Sequence, residues 1–122
     1  MSQAELSFSE KLKIIKEKHS QIYEILTTNR IDCWIIFVRE TGTTPDSIME
    51  FIVGNDVVLE SAFIFAIYKD QLKKYALVGS FDANNEKEKG IWDDVIGYEH
   101  GIREHLRDKI QMLNPKKIAL DF

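Results

Sequence analysis

Six consecutive apolar residues, Cys33-Trp34-Ile35-Ile36-Phe37-Val38, constrain this chain more than any other stretch. A strand with one wet face alternates apolar and polar side chains. An unbroken run rich in β-branched and aromatic residues is the pattern of a strand covered on both faces, as at the centre of an α/β sheet. Such a strand needs helices above and below it, so the run predicts an α/β fold. The preceding segment agrees. Leu12, Ile15, Ile22, Ile25 and Leu26 recur at helical spacing among Lys and Glu over residues 9–29, which predicts an amphipathic helix with one apolar stripe. Ser7 and Glu10 form an S-x-x-E capping box at its start, and Asn29 is its stop.

After the run, Arg39, Glu40 and Gly42-Thr43-Thr44-Pro45 read as a loop. Asp46 or Ser47 starts a short helix through Ile48, Met49, Phe51 and Ile52, with Gly54 as its stop. Two more apolar runs, 62–68 and 75–78, flank the polar stretch 69–74 and predict an antiparallel hairpin. Residues 84–89 read as a surface helix or loop, and 94–98 as a fourth strand. Ile102, Leu106, Ile110 and Leu113 mark a last amphipathic helix that Asn114-Pro115 ends, because proline disfavours a helical residue before it. Residues 117–121 are the fifth strand. The order α-β-α-β-β-(α)-β-α-β predicts a three-layer α/β domain: a mixed five-stranded sheet with helices on both faces. Strands joined by helices are expected to be parallel neighbours. No repeat or linker interrupts the chain, so 1–122 reads as a single domain.

Charge excludes some functions. Sixteen basic residues are dispersed among twenty acidic ones, for a net charge of −4, and no basic patch favours nucleic acid. No apolar stretch is long enough to span a bilayer as a helix. No basic segment followed by an apolar run opens the chain, so no secretory signal is expected. One cysteine, Cys33, permits no internal disulfide and favours a reducing, cytoplasmic setting.

Candidate chemistry is sparse. His100 and His105 are five apart on the last helix, where metal ligands sharing a face need three or four. These two and His19 read as surface histidines. Cys33 is a candidate nucleophile, but a cysteine opening a buried strand more often serves as a small hydrophobe. Glu86-Lys87-Glu88-Lys89 alternates in sign like a solvated surface. Asp93-Asp94 offers too few oxygen ligands for a hard cation and reads as solubilising or capping. Glycine-rich phosphate-binding fingerprints and the G-x-S-x-G elbow are absent, and Gly42 alone is a weak signal. The polar pair of most interest is Arg39 and Glu40, which directly follow the first strand, where open α/β sheets place functional groups. Strand capping against water is the competing reading.

Several local strings, in collinear order, resemble the N-terminal domain of the creatinase/prolidase/aminopeptidase P metallopeptidases. Ile31-Asp32-Cys33-Trp34-Ile35-Ile36-Phe37 is similar to that family's G-[LIM]-D-A-[LW]-[LI]-V strand. Glu50-Phe51-Ile52-Val53-Gly54 resembles its x-Y-L-T-G turn, with Phe51 and Val53 departing from the usual Tyr and Thr. Ala62-Phe63-Ile64-Phe65 and Tyr75-Ala76-Leu77-Val78 resemble its paired strands, and Pro115-Lys116-Lys117-Ile118-Ala119-Leu120-Asp121 its closing strand. The resemblance spans essentially the whole chain and implies a ribonuclease-H-like fold.

It also implies a parent enzyme cleaving Xaa-Pro dipeptides or the residue before proline. Catalysis there belongs to a separate C-terminal domain holding two divalent metal ions through two Asp, one His and two Glu. None of those motifs occurs in this sequence, so the resemblance assigns this chain no catalytic residue, metal or cofactor. It implies instead a homodimer in which this domain helps wall a neighbour's active site and limits substrate length. Arg39, Glu40 and the loop to Asp46 are the surface expected to face the peptide substrate. Two other readings compete: a stand-alone protein-interaction module derived from such a domain, and an unrelated small enzyme built on Cys33 or the histidines.

Overall fold

The computed structural model describes residues 7–39, 52–53 and 60–121. Helix α1 (Phe8–Thr28) starts where the capping box places it. Ser7 Oγ accepts the Glu10 backbone N–H at 3.2 Å and donates to Glu10 Oε1 at 3.0 Å. Its buried stripe is Ile15, His19, Ile22 and Leu26, while Ile25 is exposed. Strand β1 (Cys33–Val38) follows, and the expected short helix after it lies outside the described residues apart from Ile52 and Val53.

Strands β2 (Ser61–Tyr68) and β3 (Gln71–Gly79) form the hairpin. Its loop is only two residues long. Lys69 and Asp70 both take positive φ, 51° and 62°, the left-handed pair that matches the twist of paired strands. The expected polar loop 69–74 is therefore mostly strand. Gln71, Lys73 and Lys74 look unlike strand only because much of this end of β3 is partly or fully exposed. Helix α2 (Ser80–Lys89), strand β4 (Asp94–Tyr98), helix α3 (Arg103–Leu113) and strand β5 (Ile118–Asp121) complete the order. Asn114, left-handed at φ 46°, caps α3 immediately before Pro115.

The sheet order is β4-β3-β2-β1-β5. Two topological expectations are corrected. β1 and β2, read as joined by a helix, are antiparallel neighbours, and β4 and β5 lie on opposite edges. The pairs β3–β4 and β1–β5 are parallel. The buried centre is β2, with six successive buried residues, and β1 lies beside the edge strand β5. Asp32 secures that edge: its Oδ2 accepts the backbone N–H groups of Lys116 and Lys117 at 3.0 and 2.9 Å.

Alternate residues of each strand feed two cores, as the two-residue period requires. One face packs Ile36, Phe63, Phe65, Ala76 and Val78 against Ile22 and Leu26 of α1 and Ala83 of α2. The other packs Cys33, Ile35, Ala62, Ile64 and Leu77 against Ile102, Leu106, Ile110 and Leu113 at and along α3. The three-layer α/β architecture with helices on both faces follows.

Helix α2 sits close on β4 because Gly97 has no side chain there. A Cβ at that position would stand 2.9 Å from Ala83 Cβ. Alanine is the better strand residue, so without this contact Gly97→Ala would stabilise the domain. The contact reverses the sign: a loss of about 1–2 kcal/mol is expected from overpacking, read by urea denaturation.

Candidate functional site

Strands β1, β3, β4 and β5 run in one direction and β2 in the other. Their carboxyl ends therefore share one edge of the sheet, the edge where open α/β sheets bind ligands. Arg39 directly follows β1 there and is exposed. Glu40 lies outside the described residues. At the same edge, the residues after β4 form a surface hollow of about 440 Å³ lined by Glu99, His100, Gly101, Arg103, Glu104 and His105. His100 precedes α3 rather than lying on it, so the two histidines border one hollow despite their spacing. Arg39 and this hollow are three strand positions apart, about 14 Å. No group of three or more His, Cys, Asp or Glu that could hold a metal occurs among the described residues.

The connection between β1 and β2, which begins with Arg39 and Glu40, is gripped from two helices. On α1, His19 Nε2 donates to the Ile52 carbonyl at 2.7 Å. On α2, Lys89 Nζ donates to the Val53 carbonyl at 2.9 Å. Val53 is fully buried in the core. Ile52 and Val53 are the described part of the string that resembles the x-Y-L-T-G turn.

Both anchors are buried polar groups, and both correct the sequence reading. His19 is 2% exposed rather than a surface histidine. Its ring meets Phe65 edge-on with centroids 5.0 Å apart and lies 5.5 Å from Trp92. Burial holds its pKa down at about 4, and the nearby Lys74 and Lys89 cations act in the same direction. The ring is therefore neutral at pH 7, with its proton on Nε2 toward Ile52.

Lys89 and Glu86 belong to the sequence stretch that looked solvated, yet they are 5% and 0% exposed, while Lys87 and Glu88 do face solvent. Lys89 Nζ contacts Glu86 Oε1 and Oε2 at 3.1 and 3.2 Å, and Trp92 Nε1 donates to Glu86 Oε1 at 2.9 Å. Trp92 in turn stacks on Phe63, 5.4 Å away. Every polar atom of this network has a partner, as burial demands. Burial lowers the Lys89 pKa, and Glu86 opposes that shift.

The remaining candidates are structural. Cys33 is fully buried on the α3 face, and burial raises its thiol pKa to about 12, with Asp32 adding to the rise. His19 lies on the opposite, α1 face, so Cys33 and this histidine do not converge. Asp93 Oδ2 accepts the Lys74 backbone N–H at 2.7 Å, and Asp94 faces Lys109 at 3.7 Å. No helix among the described residues is long and apolar enough to cross a membrane.

A mixed five-stranded sheet between α1 and α2 on one face and α3 on the other defines a three-layer α/β domain. The particular fold is that of the N-terminal domain of Xaa-Pro dipeptidases. The chain is similar to the N-terminal domain of Xaa-Pro dipeptidase from Lactobacillus brevis, with a TM-score of 0.64 and 16% identity over 84% of this chain and 75% of that one. It is also similar to Xaa-Pro dipeptidase from Bacillus anthracis, with a TM-score of 0.58 and 7% identity over 93% of this chain but 27% of that one. No family model matches the sequence, and no curated protein matches it.

Proposed function

We propose that this chain is the non-catalytic N-terminal domain of a cytoplasmic Xaa-Pro dipeptidase or aminopeptidase. The observation that carries the reading is its likeness in fold, over 84% of the chain, to a dipeptidase N-terminal domain. In this reading the reaction belongs to a C-terminal domain with two divalent metal ions. The present domain contributes to a homodimer and walls the active site that receives the peptide.

Arg39 and Glu40 face the substrate in this reading. Arg39 stands exposed at the carboxyl edge of the sheet, and a guanidinium makes a paired contact with a carboxylate such as a peptide terminus. His19 and Lys89 then hold the connection that follows these residues. The test is kinetic. The native protein is expected to release proline from Xaa-Pro dipeptides and to lose that activity when metal is chelated. Arg39→Ala is expected to raise KM more than it lowers kcat. Unchanged kinetics would remove Arg39 from the site, and no metal-dependent hydrolysis would remove the peptidase reading.

A stand-alone protein-interaction module is the second reading. Ile25 of α1 and Met112 of α3, 54% and 45% exposed, are the observation in its favour.

A further inference from the structure

A hollow of about 370 Å³ opens between α1 and β3, lined by Lys16, His19, Ser20, Tyr23, Leu72 and Lys74. Lys74 projects from the α1 face of the sheet and is partly buried. Its Nζ has His19 Nδ1 as a neighbour at 3.4 Å. The tautomer fixed by Ile52 makes that nitrogen an acceptor, so it takes one of the three ammonium N–H groups. Among the described residues neither Lys74 nor Lys16 makes an ion pair. The carboxylate of Asp93, which acts on Lys74, accepts its backbone N–H. Burial lowers the Lys74 pKa, Asp93 opposes this, and Lys16 adds to it by repulsion. Two like charges thus border one hollow, one of them partly desolvated, and no carboxylate among the described residues is bound to either ammonium.

We propose that this hollow is a binding site for a small phosphorylated metabolite, whose phosphoryl group lies between Lys16 and Lys74. Lysines present compact point charges that suit a tetrahedral dianion, whereas a planar carboxylate is matched better by the arginine fork that this site lacks. Ser20 Oγ already donates to the Glu17 carbonyl at 2.6 Å, so the lysines supply the charge. Leu72 and Tyr23 supply its apolar lining. The site lies on the α1 face at mid-strand, away from Arg39, and does not rest on the peptidase reading.

Inorganic phosphate titrated calorimetrically into the full chain at constant ionic strength is the probe, with acetate as a parallel titrant. Saturable phosphate binding at one site is expected. Lys16→Gln, a change at an exposed residue, and Lys74→Met should each weaken it about tenfold or more, as expected for losing a hydrogen bond to a charged group. Circular dichroism checks the fold of each variant, and Lys16→Gln decides if Lys74→Met does not fold. Absence of saturable binding, unchanged affinity in the folded variants, or acetate binding as tightly as phosphate would each overturn the proposal.

Discussion

Glu86→Ala is expected to cost about 3–5 kcal/mol of folding stability, the typical penalty for leaving one partner of a buried ion pair alone. The reason is local. Lys89 Nζ would keep the Val53 carbonyl but lose both carboxylate oxygens, and the Trp92 N–H would lose its acceptor. Neighbouring Glu88→Ala has the same chemistry at an exposed position and should change stability by less than about 0.5 kcal/mol. Guanidinium denaturation of the two variants reads the difference directly. Glu86→Leu combined with Lys89→Met removes both charges and should recover part of the loss. It should not recover all of it, because Trp92 Nε1 still lacks a partner. Equal, small effects of Glu86→Ala and Glu88→Ala would show that the pair is not buried as described.

The second large effect is on pH dependence. His19 titrates at about 4 in the folded chain against about 6.5 in an unfolded one. The folded pKa is the lower, so between these values the unfolded chain binds the proton and the folded chain does not. The contribution of His19 is then complete above pH 6.5, falls as pH drops from 6.5 to 4, and is level below 4. The span corresponds to about 3 kcal/mol. Protonation would bring a second cation against Lys74 at 3.4 Å. His19→Gln retains a donor for the Ile52 carbonyl but does not titrate. The stability difference between the parent and this variant, measured at pH 7 and pH 4, should shift by roughly that amount. A difference that stays constant with pH would refute the neutral, buried assignment. Carboxylates titrating in the same range affect both proteins and cancel.

The strands were legible because buried β-sheet residues leave unbroken apolar runs. Cys33–Val38 and Ser61–Tyr68 form where those runs predict strands. Direction was less legible. β1 and β2 are linked by about twenty residues, and a run of that length can return the chain either way, so the antiparallel pairing had no local signature. Helix α2 was read as a surface element because its buried face carries Asp82, Ala83, Glu86 and Lys89 rather than an apolar stripe. A helix that buries charges has no hydrophobic period to detect. His19 does carry a sequence signal: it follows Ile15 by four residues and precedes Ile22 by three, squarely on the buried face of α1. Arg39 was placed correctly after β1 because strand ends are readable, whereas its chemical partner depends on residues distant in sequence.

The central claim, that this domain serves a peptidase whose chemistry lies elsewhere, is tested most directly by reading the coding frame past the codon for Phe122. The account predicts an open frame long enough for a second domain and carrying two Asp, one His and two Glu as metal ligands. A stop codon at that point would contradict it and leave the protein-interaction module as the standing account.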